Sequence, residues 1–110
     1  MAIKITVSNQ VAFKVRGSIN DETGAAQAFD FDLIARRLGS DALQAALEDG
    51  QRKIPEFLSG VITGWRRVLD DDGAEVLFSP EGLNKLFQIP GLPALAFRQY
   101  LAEAGAKEKN

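Results

Sequence analysis

Residues 54–79 read IPEFLSGVITGWRRVLDDDGAEVLFS, and the fold turns on how this stretch is read. Ile54, Phe57, Leu58, Val61, Ile62 and Trp65 fall at i, i+3, i+4, i+7, i+8 and i+11. That spacing gathers six apolar side chains on one helical face, so it predicts a helix from Ile54 to Trp65, with Pro55 in its first turn. Arg66 and Arg67 then stand at the helix C-terminus, where cations complement the macrodipole; the alternative role is a docking patch for an acidic partner. Trp65 poses the same choice between a packed core residue and a partner anchor. Gly60 and Gly64, inside the pattern, are expected to allow close helix packing. Asp70 to Gly73 makes a polar break, Val76-Leu77-Phe78 a short apolar run, and Ser79-Pro80 the start of another helix.

Upstream the period changes from helical to two. Ile3, Ile5 and Val7 alternate with Lys4, Thr6 and Ser8, the pattern of a half-buried strand, and Asn9-Gln10 breaks it. Val11, Phe13 and Val15 alternate with Ala12, Lys14 and Arg16 in a second strand running to Ile19. Asn20 to Gly24 is a hairpin loop, with Gly24 free to take positive φ. The third strand turns Phe29, Phe31 and Leu33 inward and Asp30 and Asp32 outward. A register centred near Glu22 sets Lys14 and Arg16 across from Asp30 or Asp32. Exposed cross-strand pairs of this kind contribute about 0.2–1 kcal/mol each and mainly fix register. Asp30 and Asp32 share a face, as an acid–base pair would, but nothing nearby in sequence would raise a carboxylate pKa.

Arg36 to Gly39 leads out of the sheet, and Asp41 with Gln44 resembles a capping box. A helix striped by Leu43, Ala46 and Leu47 should follow and stop at Gly50, and the short link of residues 51–53 should fold the next helix back on it. Beyond Ser79, Leu83, Leu86 and Phe87 line a third helix that Ile89-Pro90-Gly91 ends. A fourth runs from Pro93 with Leu95 and Ala96 on one side and Phe97 and Tyr100 towards another. So wide an apolar arc assigns partner contacts to Phe97 and Tyr100, with Trp65, Arg66 and Arg67 as a second patch. On this reading, replacing Phe97 and Tyr100 by alanine leaves the fold intact. The expectation is an α+β protein: an N-terminal antiparallel sheet of about three strands, then about four helices on one face. Residues 1–104 form one domain, and residues 105–110 a flexible charged tail.

Composition narrows the chemistry. The chain has 110 residues, enough to bury roughly two-thirds of its unfolded-chain surface. Thirteen basic against fifteen acidic residues lack the concentrated basic footprint of a nucleic-acid binder. With no cysteine there are no disulfides, thiolate metal sites or cysteine nucleophiles; with no histidine the usual general base and commonest metal ligand are missing. No spacing pairs a nucleophile with a base, and no glycine-rich phosphate loop is present. The reading is therefore no catalytic residues, no metal and no cofactor. No apolar run approaches the ~18 residues of a membrane span, and Met1 to Lys4 does not begin a signal peptide, so a cytoplasmic protein is expected.

The second half resembles the tail assembly chaperones of tailed bacteriophages and prophages. The residues that carry the likeness are Phe57-Leu58, Val61-Ile62, Gly64-Trp65, Asp72-Gly73, Val76 and Phe78-Ser79, then Glu81, Leu83, Leu86, Pro90-Gly91 and Tyr100. The opening residues 3–17 are also similar to such proteins. The resemblance implies a small protein of the host cytoplasm, without cofactor or catalytic residue. It would bind the tape measure protein, and tail tube subunits, before the tail polymerises, and could self-associate. The alternatives are a completion or tube protein retained in the virion, and an enzyme of unknown type. The resemblance also implies a longer frameshifted form: Glu108-Lys109-Asn110 can be encoded as GAA-AAA-AAC, which contains the slippery heptamer A-AAA-AAC.

Overall fold

The computed structural model describes residues 2–6, 8–48 and 53–106. Among these, seven elements follow in the order β1 (Gln10–Asn20), β2 (Ala26–Arg36), α1 (Ser40–Glu48), α2 (Ile54–Val61), β3 (Ile62–Arg66), α3 (Pro80–Leu86) and α4 (Leu92–Ala104). The three strands form one antiparallel sheet in the order β1-β2-β3. The architecture is α+β, as the change of period predicts. The order of its parts differs: β3 comes after two helices rather than at the N-terminus.

The β1–β2 hairpin runs in unbroken register and sets Lys14 opposite Asp32 and Arg16 opposite Asp30. Its alternation sorts the faces as expected. Val11, Phe13 and Val15 with Phe31, Leu33 and Ala35 are buried, while Ala12, Lys14 and Arg16 are exposed. The helices cover the buried face; α4 lies against β1 and also meets α2, which touches α3. Phe57, Leu58 and Val61 of α2, Leu83 of α3, and Leu92, Ala96 and Tyr100 of α4 complete the core.

Two expectations are corrected here. Residues 3–5 belong to no strand, and Ile3 and Ile5 are 88% and 101% exposed; Val7 lies outside the described residues. The period-two pattern is present, but among the described residues no neighbouring strand receives it. The second correction concerns the deciding stretch itself. Its helix stops at Val61, and residues 62–66 become β3. Ala35 pairs with Ile62 and Ile34 with Gly64, so Thr63 is the extra residue of a bulge. The bulge shifts parity, and Ile62 and Trp65 therefore both face the core although three residues apart. A bulged strand thus carries a helix-like spacing.

The remaining helices keep their signals. Ser79 Oγ accepts from the Gly82 N–H at 3.0 Å with Pro80 in the first turn, capping α3. Gly91, at φ 84°, makes the left-handed link from α3 to α4. Helix α1 buries none of its residues, and Leu47 is exposed; Leu43 and Ala46 are half-buried against the core. Its expected stop at Gly50 and the link through Gln51 and Arg52 lie outside the described residues, as do residues 107–110 of the expected tail.

Candidate functional site

Beyond β3 the chain reverses in a tight turn that copies the β1–β2 loop. In the first, Asp21 N–H donates to Ala25 O, Gly24 N–H returns to Asp21 O, and Asp21 Oδ1 accepts from the Thr23 and Ala25 N–H groups. In the second, Asp70 N–H donates to Ala74 O, Gly73 N–H returns to Asp70 O, and Asp70 Oδ1 accepts from the Asp72 and Ala74 N–H groups. Gly24 and Gly73 both take positive φ, 85° and 82°. The sequences Asp-Glu-Thr-Gly-Ala and Asp-Asp-Asp-Gly-Ala therefore encode one geometry twice: an aspartate that satisfies the turn's N–H groups and a glycine where φ is positive. The Thr23 hydroxyl, then the Thr23 N–H, hold the Asp21 carboxyl below its usual range against slight burial.

The second turn extends a narrow ribbon. Leu69 bridges Glu75, and Val76 N–H donates to Val68 O at 2.8 Å. Trp65 pins the ribbon to the body: its indole N–H donates to Val76 O at 2.8 Å, and its ring meets Phe78 edge-on, centroids 5.1 Å apart. The first turn of α3 closes on the same indole. A Cβ on Gly82 would stand 2.9 Å from Trp65 Cη2 and 3.0 Å from Ser79 Oγ, so this approach requires glycine.

Ribbon and helix leave an apolar groove between them. One depression, of about 160 Å³, is lined by Ile19, Phe29, Val68, Leu69, Leu86 and Ile89, among others. A second and larger one, of about 470 Å³, shares Val68, Leu69, Leu86 and Ile89 with the first and adds Trp65, Val76 and the acidic edge of Asp70 and Asp71. Ile19, Leu69 and Val76 are all exposed there, Leu69 by 56%. A surface of this composition is costly to leave in water and is suited to an apolar partner.

The residues assigned to binding from the sequence are placed otherwise. Tyr100 has 0% exposure; its hydroxyl donates to Arg36 O at 2.8 Å and accepts from Leu38 N–H at 3.3 Å. Burial raises its pKa, against the opposing Leu38 hydrogen bond and the charges of Arg36 and Arg37. Phe97 is half-buried and meets Phe57 edge-on at 5.6 Å. The wide apolar arc of α4 is thus used inside the protein: α4 packs on β1 with one side and on α2 with another. Tyr100 is a core residue rather than a surface anchor, and the intact fold expected of the double alanine variant is withdrawn with it.

Arg66 and Arg67 end a strand, not a helix, so the macrodipole plays no part. Arg66 pairs with Asp32 across the sheet. Arg67 takes φ 64°, a conformation unusual for a residue with a side chain, and its guanidinium reaches Asp30 and Asp32, each at 3.1 Å. The Asp32 hydrogen bond and the two carboxylate charges raise its pKa against a small opposing desolvation. Asp30 also lies 3.6 Å from Arg16. The two aspartates thus hold the turn out of β3, and Trp65 serves the groove from beneath. The groove residues Leu69, Val76, Leu86 and Ile89 were not assigned to binding from the sequence; Leu69 and Val76, apolar residues flanking an acidic turn, were the available signal.

No family model, curated protein or solved structure matches this chain. The chemistry of the site is that of apolar contact with a rim of mixed charge. No helix among the described residues is long and apolar enough to cross a membrane.

Proposed function

We propose that this protein is a tail assembly chaperone of a bacteriophage or prophage, one that covers apolar helical surface of the tape measure protein before the tail polymerises. The observation that supports the reading is the groove. Exposed Ile19, Leu69 and Val76 line two adjoining depressions, and a long apolar helix offers side chains at i, i+3, i+4 and i+7 to such a surface. The sequence resemblance suggests the partner, and the exposed ribbon–α3 groove supports a contact there rather than at Phe97 and Tyr100. Asp70 and Asp71 on one rim, with Lys85 and Arg67 also lining the depressions, offer polar contacts of both signs around the apolar floor. The mechanism is reversible shielding without covalent chemistry in the host cytoplasm, tail tube subunits later replacing the chaperone on the same partner.

Affinity purification from induced or infected cells tests the reading. The tape measure protein should co-purify with the wild-type chain and be lost with Leu69→Asp, whose folding should be unchanged because Leu69 is exposed. Purified particles should contain little or none of this protein. Stoichiometric presence in finished virions would favour a retained tail component instead.

A further inference from the structure

Strand β1 is an outer strand of the sheet, and its free edge is long and regular. Two hydrogen bonds at the ends of the hairpin fix the phase of its ladder. Asn9 O accepts from the Arg37 N–H at 2.7 Å, and the Asp21 N–H donates to Ala25 O at 3.0 Å. Bonded and non-bonded pairs alternate along an antiparallel ladder, so the odd-numbered residues from Val11 to Ile19 bond to β2. The N–H and C=O groups of the even-numbered residues therefore point away from the sheet. Ser8 Oγ accepts from the Gln10 N–H at 3.4 Å. Among the described residues no group bonds to the backbone N–H or C=O of Ala12, Lys14, Arg16 or Ser18.

The other outer strand, β3, has five residues and a bulge, two features that blunt an edge. β1 has eleven residues in unbroken register and carries charge instead. Lys14 and Arg16 are exposed on it, and Glu103 of α4 stands near Ala12 and Lys14 at one end. Across the hairpin these cations face Asp32 and Asp30, but Arg67 reaches both carboxylates at 3.1 Å. Arg16 keeps a 3.6 Å contact with Asp30, and Lys14 makes no ion pair among the described residues. A second copy of β1 is a poor occupant of this edge. Two-fold pairing centred on Lys14, on Arg16 or between them sets cation against cation, which is destabilising. β2 shows what β1 accepts: Asp30-Phe31-Asp32 lies opposite Arg16, Val15 and Lys14, with acids on the outer face and an apolar ring on the inner.

We infer that the free edge of β1 takes up an extended acidic segment of a partner protein, acid–apolar–acid in pattern, as an antiparallel fourth strand. The backbone of residues 12–18 supplies the hydrogen bonds, and Lys14 and Arg16 select the acids. On the inner face a Cβ at Gly17 would lie 3.3 Å from Leu95 Cδ1, so α4 gives the inward side chains an apolar neighbour. This edge is separate from the ribbon–α3 groove, and the inference does not rest on that groove.

Hydrogen exchange followed by NMR on the full chain, with a synthetic peptide alternating glutamate and valine, tests this. In the free chain the N–H groups of Lys14 and Arg16 should exchange fast, and those of Phe13 and Val15, bonded to β2, slowly. The peptide should bind with a dissociation constant below about 1 mM and, at saturation, slow exchange at Lys14 and Arg16 at least about tenfold. Residues opposite Lys14 and Arg16 exchange both backbone bonds with them. Backbone N-methylation of the glutamates should therefore abolish binding, and N-methylation of the valines should leave it. Lys14→Gln with Arg16→Gln should weaken binding about tenfold, and Leu69→Asp should not change it. Slow exchange at Lys14 and Arg16 in the free chain, no saturable binding, or equal loss on methylating either set overturns the added strand. Equal affinity for a peptide with lysine in place of glutamate overturns the acidic partner. Loss of binding with Leu69→Asp would place the peptide in the groove and overturn the edge site.

Discussion

Replacing Tyr100 by phenylalanine removes one oxygen and keeps a ring that packs edge-on against Phe13 at 5.7 Å and Phe57 at 5.9 Å. The oxygen serves two backbone groups just beyond β2: it donates to Arg36 O and accepts from Leu38 N–H. Each hydrogen bond contributes about 0.5–1.5 kcal/mol net, and both freed partners sit in part-buried surroundings, so Tyr100→Phe should cost about 2 kcal/mol. Tyr100→Ala also opens a cavity beside Phe13 and Phe57; large aromatic deletions cost about 3–5 kcal/mol. Against a total of roughly 5–15 kcal/mol for a chain of this size, the alanine variant loses between about a fifth and all of its stability. Urea unfolding measures both. With a slope of about 2 kcal/mol per molar, the phenylalanine variant should unfold at a midpoint about 1 M lower. Alkaline pH gives an independent reading. Burial raises the Tyr100 pKa above its ordinary value near 10, so from about pH 10 upward the unfolded chain loses this proton before the folded one. Wild-type stability should fall in that window, and Tyr100→Phe should remove this component of the fall. A phenylalanine variant with wild-type midpoint, or an alanine variant that folds with less than about 1 kcal/mol lost, would refute the burial and hydrogen bonding assigned to Tyr100.

Gly82→Ala should move Trp65, the only tryptophan in the chain, out of its contact with α3; a red-shifted emission and a loss of about 1 kcal/mol or more are expected by fluorescence and thermal melting. Gly24→Ala and Gly73→Ala meet no neighbouring atom, yet each should cost about 1 kcal/mol in chemical denaturation, because both turns hold glycine at positive φ. Arg67→Gly and Arg67→Ala lose the same carboxylate contacts, but only glycine relieves the backbone at φ 64°; the glycine variant should melt at the higher temperature of the two.

The β1–β2 hairpin was legible because local pattern and tertiary use agree. Alternation set the faces, Asp21 and Gly24 set the turn, and opposite charges set the register. Ser79-Pro80 was legible for the same reason, since a cap is written in adjacent residues. β3 was not. A regular strand puts residues three apart on opposite faces, and the Thr63 bulge places Ile62 and Trp65 on one face, so the spacing that marks a helix arose from a strand. Val61, Ile62 and Thr63 are β-branched and Gly64 is a poor helix former; that run was the local evidence against extending the helix. Tyr100 misled for another reason. The apolar arc of α4 is as wide as expected, but whether it meets a partner or this chain's own sheet depends on contacts far apart in sequence, Phe13 and Arg36 among them. The groove escaped notice because its wall comes from Leu69 and Val76 on one side and Leu86 and Ile89 on the other, brought together only by the Asp70–Gly73 turn.

Site-specific photo-crosslinking in phage-producing cells, with a photoreactive amino acid at position 69 and a control at exposed position 45 on α1, puts the chaperone reading to its most direct test. The account predicts an adduct between position 69 and the tape measure protein, absent from position 45 and absent from finished particles. Adducts of equal abundance at both positions, or none with the tape measure protein at position 69, would contradict it.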